Sequence, residues 1–358
     1  MNLTDFTLQS FRILLLPVSL LYGAAVWVRN RLYDHRILST VSFNLPVICV
    51  GNLSVGGTGK SPMIEYLIRM LHADYRLATL SRGYKRKTRG YAIAAEGTTA
   101  LEIGDEPMQF HLKFPGVAVA VGEERVEAIP QLLQDAPDTE VVLLDDAFQH
   151  RSIKPGFSIL LTDAGNLFTR DFFLPTGDLR DERGSYRRAN VLVVTKCDPA
   201  LTAVERDRLM RELDPRPEQT VFFASMVYGT PYHILDAEKK QPLRKTAEVL
   251  LVTGIANSEP LKRYMLQEVF SYERMPYSDH HIFTIDDLAE IKQAYVRMKG
   301  ADKLILTTEK DAVRLLKFRE QLQELPLYVL PVEHRFLFGE APAFREQVYR
   351  FIRQFKTT

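Results

Sequence analysis

Short apolar runs alternate with helical patterns over most of this chain. "PVICVG" leads into "SPMIEYLIRML", "VAVAVG" into "EERVEAIPQLL", and "NVLVVTK" into "TAVERDRLMREL", with "RLATLS", "EVVLLDD", "FSILLTD" and "QTVFFAS" between and after them. Val/Ile/Leu runs bounded by turn residues and interleaved with helices predict a mostly parallel sheet covered on both faces. That pattern holds to about Ser225. Between Met226 and Glu248 it turns polar and proline-bearing, which predicts a connector containing a pair of extended strands. A second α/β series then starts at "VLLVTGIA" and runs through "DDLAEIKQAYVRM", "KLILTTEKDAVRLL" and "LYVLPVE" to an amphipathic helix near Ala343 to Phe355. The expected organisation is a core domain at 37–225, a connector at 226–248 and a smaller α/β domain at 249–358, with a cleft between the two domains. There is no internal repeat, low-complexity tract or heptad run.

Residues 1–36 depart from this pattern. From Ile13 to Val28 the run "ILLLPVSLLYGAAVWV" carries no charge and is bracketed by Arg12 and Arg29. A helix of this length rises roughly 24 Å, short of the roughly 30 Å hydrocarbon core, and Pro17 and Gly23 weaken it further. A transmembrane span is therefore the lesser reading, and Asp5 spoils the basic start of a secretory signal peptide. Two readings stay open at this point: a helix buried on the protein's own core, and a helix lying in a membrane surface.

The stretch "GNLSVGGTGKSP", Gly51 to Pro62, lies between a predicted strand and a predicted helix, which is the context of a phosphate-binding P-loop. Gly56, Gly57 and Gly59 let the backbone turn its N–H groups towards phosphate oxygens, and the helix N-terminus adds its dipole. Lys60 would reach the β/γ-phosphates, and the Ser61 hydroxyl would ligate Mg²⁺. Pro62 falls in the first helical turn, where its missing N–H is not needed. Ser54 stands where the usual pattern has glycine. A P-loop calls for an acidic site at the end of another strand, and "EVVLLDD" supplies Asp145 and Asp146. "GDEPMQFH" adds Asp105 and Glu106 at a helix start, "FQH" adds Gln149 and His150 after the acidic pair, and "SDHHIFT" groups Asp279, His280 and His281.

Composition adds little globally and something locally. The chain is 46% hydrophobic and 25% charged with a formal net charge of +1, which gives no argument for nucleic acid. Its two cysteines, Cys49 and Cys197, border predicted strands and read as reduced core thiols. From Arg76 to Arg89, however, six basic residues occur with no acidic one. Beside a P-loop, that stretch suggests an anionic substrate, and together with the apolar helix an anionic amphiphile at a membrane face. The rival is a P-loop GTPase or metallochaperone-like switch, because "TKCD", Thr195 to Asp198, is similar to the guanine-reading motif.

"VGNLSVGGTGKSP", "LSRGY", "GDEP", "VGEERV", "LLDDAFQH", "VTKCD", "VTGIANSEP", "SDHHIFT" and "LTTEKDAVRL" occur here in one order. From about Phe11 to Glu333 the chain thereby resembles the tetraacyldisaccharide 4'-kinase (lipid A 4'-kinase) family. The resemblance implies a P-loop NTPase-like α/β core with a second α/β domain closing over the substrates. It also implies ATP- and Mg²⁺-dependent phosphorylation of the 4'-hydroxyl of an acylated glucosamine disaccharide 1-phosphate. The implied location is the cytoplasmic face of a Gram-negative inner membrane, reached through the amino-terminal helix, with no obligate protein partner. By position, Ser54, Val55, Gly56, Gly57, Thr58, Gly59, Lys60 and Ser61 resemble the ATP phosphate loop. Asp105 resembles the catalytic base, assisted by His280, with Lys60 offsetting phosphate charge. Ser61, Asp145, Asp146 and Gln149 fall where metal ligands or their supports are expected, and Glu106 beside them. Arg82, Arg125 and Arg180, with His150, are the expected grips on the lipid's 1-phosphate and sugar. "LPTGDLRD" departs from the family's usual "LPAGPLRE", which leaves the role of Arg180 open.

Overall fold

The computed structural model of the protein describes residues 12–255 and 257–355. Residues 1–11 of the expected amino-terminal segment lie outside the described residues. The strands of the first series are β1 (Val47–Asn52), β2 (Leu77–Ser81), β3 (Ala92–Ile93), β4 (Ala118–Val121), β5 (Val141–Asp145), β6 (Phe157–Asp163), β7 (Val191–Thr195) and β8 (Thr220–Tyr228). Next come β9 (Tyr232–His233), β10 (Asp236–Lys240), β11 (Glu248–Thr253), β12 (Ser271–Pro276), β13 (Lys303–Thr308), β14 (Leu327–Leu330) and β15 (Val332–Phe336). The longer helices are α1 (Leu16–Asp34), α2 (Lys60–Leu71), α3 (Asp105–Lys113), α4 (Arg125–Asp135), α5 (Ala203–Leu213), α6 (Glu259–Glu268), α7 (Ile285–Arg297), α8 (Glu309–Leu315) and α9 (Ala341–Gln354).

A nine-stranded sheet has the order β15-β8-β7-β6-β1-β5-β2-β4-β3, parallel throughout except for its edge strands β15 and β3. Strand β1 is buried along its whole length. Its residues alternate between two cores, Val47 and Cys49 on one face, Ile48 and Val50 on the other, as period-two side chains must when both faces are covered. Helix α2 covers one face with Met63, Ile64, Leu67, Ile68 and Leu71, while α4 covers the other with Ala128, Ile129 and Leu132. A six-stranded sheet, β10-β9-β14-β13-β11-β12, repeats the arrangement. There Leu250 and Val252 meet α7, and Val249 and Leu251 meet α6. Cys49 and Cys197 are buried free thiols.

The division between sheets differs from the expected boundaries in two places. The 226–248 segment is more than a connector, because β9 pairs with β14 and β10 with β9, so both belong to the second sheet, with β10 at its edge. The 249–358 segment does not stay with that sheet. After β14 the chain crosses back, β15 pairs antiparallel with β8, and α9 buries Phe344, Val348 and Ile352 in the first core. Phe344 lies against Phe222 and Phe336, with ring centroids 5.4 and 4.6 Å away. Burying side chains of this size contributes about 1.5–3 kcal/mol each, which holds the carboxyl-terminal segment on the first sheet.

Helix α1 packs with its small and polar side. Ser19, Gly23 and Asn30 are its buried residues. Ser19 Oγ donates to Thr176 Oγ1 at 2.8 Å, Asn30 Nδ2 donates to Asp181 Oδ1 at 2.8 Å, and Tyr22 OH donates to the Arg180 carbonyl at 3.1 Å. Leu14, Leu20, Leu21 and Trp27 point outwards, with Leu14 72% and Leu21 74% exposed. The reading as a buried core helix therefore fails: the apolar side faces away from the protein. Among the described residues no helix is long and apolar enough to cross a membrane.

Gly51 marks the tightest contact of β1. A methyl group there would lie 2.5 Å from Phe148 Cβ and 3.1 Å from the Phe148 nitrogen. Overpacking of this kind costs about 1–3 kcal/mol. Gly51→Ala is expected to lower the urea midpoint without changing the denaturant slope; an unchanged midpoint would show that β1 and the Phe148 turn move apart freely.

Candidate active site

The phosphate loop leaves β1 at Asn52 and enters α2 at Lys60. Gly56 and Gly59 have φ of 105° and 87°, a region that side chains disfavour. A Cβ at Gly56 or Gly57 would meet nothing within 4 Å, so the loop keeps an open face, while one at Gly59 would lie 2.8 Å from the His334 ring. The loop is held from behind. Asn52 Nδ2 donates to Thr58 Oγ1 at 2.9 Å, Thr195 Oγ1 donates to the Thr58 carbonyl at 2.9 Å, and His334 Nε2 donates to the Gly59 carbonyl at 2.8 Å. Burial pushes His334 down to about 4, so it stays neutral. No side chain caps α2, which leaves its first N–H groups to a ligand. Ser54 has a local reason: its hydroxyl lies 3.4 Å from Asp171 Oδ2 and its backbone bridges to Leu179, while Val55 N donates to the Asp178 carbonyl at 2.7 Å. The loop is thus seated on the 171–179 segment.

Asp145 ends β5, beside β1. It is buried, and its Oδ1 finds no hydrogen-bond partner among the described residues. Burial raises its carboxyl well above the usual range, and the charges of Glu106 and Asp146 add to this. Asp146, at φ 52°, behaves oppositely. Burial opposes its charge, but Lys60, Arg180 and Arg125 outweigh that cost and hold its carboxyl low. Lys60 Nζ lies 3.8 Å from Asp146 Oδ2 and 3.3 Å from Asn52 Oδ1. Arg180 donates to both Asp146 oxygens, through Nη1 at 3.0 Å and through Nη2, and also to Asn52 Oδ1. Arg180 therefore lies on the phosphate-loop side. Gln149 Nε2 donates to the Asn52 carbonyl at 2.7 Å, and Ser61 is buried at the start of α2. The buried, unpartnered Asp145 Oδ1 and the Ser61 hydroxyl are hard-oxygen donors of the kind Mg²⁺ takes, although among the described residues no three carboxylates or imidazoles are gathered as a metal site.

A cationic corner adjoins these carboxylates. Arg125 is buried, and its Nη1 donates to the Gly122 and Glu123 carbonyls at 2.6 and 3.0 Å. Burial pulls it down to about 10, against the charges of Asp145 and Asp146. His150 is lowered by burial and then by Arg125, Arg29 and Arg82, which places all of them within electrostatic reach. Arg82 is exposed and opens the basic loop, which lines a cavity of about 490 Å³ with Tyr84, Lys85, Lys87, Arg89 and Glu123.

Asp105 starts α3 on the first sheet, yet its partners come from the second. His280 Nδ1 lies 2.9 Å from Asp105 Oδ2, and Arg314 donates to the same oxygen through Nε at 3.0 Å and Nη2 at 2.7 Å. All three contacts use Oδ2. Burial works against the charge of Asp105, but Arg314 and then His280 hold its carboxyl below the usual range. Glu106 Oε1 accepts from Lys310 Nζ at 2.6 Å. Arg314 and Lys310 carried no role in the sequence reading, although "LTTEKDAVRL" contains both. The signal was available in their i, i+4 spacing after the Thr308 cap, which sets both on one side of α8. In "TKCD", Thr195 supports the phosphate loop, while Lys196 Nζ pairs with Asp163 at 2.7 Å.

The comparisons with known proteins agree along the whole chain. A family model described as "Tetraacyldisaccharide-1-P 4'-kinase" matches residues 11–353. A Bacteroides thetaiotaomicron protein named "Tetraacyldisaccharide 4'-kinase" is 43% identical over 353 residues, covering 95% of this chain and 93% of its own length. A Flavobacterium johnsoniae protein of the same name is 44% identical over 326 residues, covering 91% and 93%. A crystal structure of LpxK from Aquifex aeolicus, described as in complex with ATP, superposes with a TM-score of 0.75 at 28% identity, over 96% of this chain and 99% of that one. With this fold, this phosphate loop and these relatives, the chain belongs to the tetraacyldisaccharide-1-phosphate 4'-kinase family.

Proposed function

We propose that the protein transfers the γ-phosphoryl group of ATP to the 4'-hydroxyl of tetraacyldisaccharide 1-phosphate, giving the 1,4'-bisphosphate, with Asp105 as the base. The observation that carries this reading is the meeting of Asp105 with His280 and Arg314, next to Glu106, whose charge is felt by Asp145 of the phosphate site. Asp105 is ionised at neutral pH and offers Oδ1 to the hydroxyl proton. The N–H groups of the glycine loop and of the α2 start cradle the phosphates, and Lys60 offsets charge on the β- and γ-oxygens. Asp145, with Ser61, Asp146 and Glu106, would hold Mg²⁺, which when bound neutralises phosphate charge. Gln149 braces the Asn52 turn, and Arg180 holds Asp146 in place. Arg82 and Arg125, with His150, suit the anionic head group of the acceptor.

The outward apolar side of α1 supports docking on a membrane surface, the cytoplasmic face of a Gram-negative inner membrane in this reading. The acyl chains can then stay in the bilayer while the sugar reaches Asp105. Arg29, Arg31 and Arg36 at the end of this helix favour anionic head groups.

Asp105→Ala is expected to reduce transfer of label from γ-labelled ATP to detergent-dispersed lipid by about 10²–10⁴-fold while keeping ATP affinity. Undiminished turnover removes Asp105 as the base. Replacing the exposed Leu14, Leu20 and Leu21 together by Gln is expected to move the protein from pellet to supernatant in sedimentation with anionic phospholipid vesicles. Complete pelleting of that variant would sink the membrane-docking role of α1.

A further inference from the structure

We propose that Arg314 is the positioning residue that brings Asp105 and His280 into one geometry when the two sheets meet. This rests on the reading of Asp105 as the base. Arg314 belongs to α8, on the second sheet, and its side chain is only 7% exposed. One edge of the guanidinium, Nε and Nη2, takes Asp105 Oδ2 at 3.0 and 2.7 Å. Nη2 also lies 3.1 Å from His280 Nδ1. A guanidinium offers donors in a fixed fork and no acceptor, so it dictates the direction from which the carboxylate approaches.

The fork itself is anchored within the second sheet. Nη1 donates to Asp311 Oδ1 at 3.1 Å and reaches the Gly254 carbonyl at 3.5 Å. Asp311 is fully buried and receives the Gly254 N–H at 3.0 Å and the Thr308 hydroxyl at 2.7 Å. Gly254 also accepts from the His280 backbone N–H at 3.3 Å, and a Cβ at Gly254 would lie 2.8 Å from the Ser278 carbonyl. One small cluster therefore fixes both Arg314 and the His280 turn. His280 itself has φ 61°, a sparsely populated region for a non-glycine residue, which this anchoring supports. Asp105 sits on the other sheet, so its contacts with Arg314 and His280 form together or not at all.

Charged groups face Asp105 from three elements. From α8 it faces Arg314, Lys310 and Asp311; from the turn after β12, His280 with Asp279 beyond it; from its own helix, Glu106, which Lys310 pairs. Arg314 takes Asp105 through two donors of one plane, so its loss leaves the carboxylate free to turn.

The test uses the full-length protein with labelled ATP and dispersed tetraacyldisaccharide 1-phosphate. It compares Arg314→Gln and Arg314→Lys, each alone and combined with Asp105→Asn, with thermal unfolding recorded for every variant. Arg314→Gln is expected to lower kcat by about 10²-fold with KM for ATP unchanged, because a small displacement of the base is that costly. Arg314→Lys should recover only part of kcat, since a point charge cannot reproduce the fork. In the Asp105→Asn background, Arg314→Gln should cause no further loss. An unchanged kcat in Arg314→Gln, or an equal kcat loss with and without Asp105, overturns the proposal and leaves Arg314 as a prop of the fold. If Arg314→Gln gives no cooperative unfolding transition, Arg314→Lys decides alone, and wild-type kcat in that variant overturns the proposal. Full turnover by Asp105→Asn alone is a different failure: it removes the base, and the positioning role with it.

Discussion

A carboxylate withdrawn from water must find its counter-charge among neighbours, and Asp105 finds it in Arg314 and His280 of the second sheet. The same constraint acts a few turns away. Glu65 of α2 and Glu309 of α8 are both buried, and Lys113 of α3 lies between them, 2.5 Å from Glu65 Oε2 and in contact with Glu309. Burial and the charge of Glu65 push the Glu309 carboxyl up, and Lys113 opposes this. Removing one partner of such a buried set costs about 3–5 kcal/mol, because a charge is left without compensation. Arg69 of α2 also reaches Glu65, at 3.1 Å, but Lys113 joins all three helices, those of the phosphate loop, of the base and of Arg314, through one buried charge cluster.

That restraint works on a scaffold whose topology has already gathered the chemistry. In a parallel sheet every strand delivers its carboxyl end to the same edge, where the following helix begins. Asn52, Asp145 and Thr195 end β1, β5 and β7, and the starts of α2 and α3 point into the same region. The helix starts favour anions, and the phosphates, Asp105 and Glu106 take that favour in turn. Among the described residues Asp145 Oδ1 is buried without a hydrogen-bond partner, a condition that a cation at this site would relieve.

Helix α1 shows how little an apolar run says about its own burial. Its charge-free stretch is as apolar as a core helix, yet Ser19, Gly23 and Asn30 make the contact and the leucines face outwards. The partner decides this. The 173–182 segment offers hydroxyls, carbonyls and the Asp181 carboxylate, which reward polar side chains, and the Phe173 ring, which comes so close that only glycine fits at position 23.

The alternation of strands and helices, the glycine loop, the acidic pair after β5 and the amphipathic α9 were legible from residue order, because each is set by local periodicity or turn chemistry. Ser54 was legible only as a departure, since Asp171 and Leu179, which explain it, lie more than a hundred residues away. The destination of β15 was not legible either. A short strand after Pro331 carries no mark of which edge it joins, and Phe336 and Phe344 find their pocket only once β8 is in place. Arg180 was expected on the lipid and stands on Asp146, and Arg314 was quoted without a role and stands on Asp105. The sequence by itself determined which residue types can bind phosphate, accept a proton and form the two sheets. Only the tertiary structure decided which charges meet, because ion pairs and edge pairings depend on distances between segments that residue order leaves open.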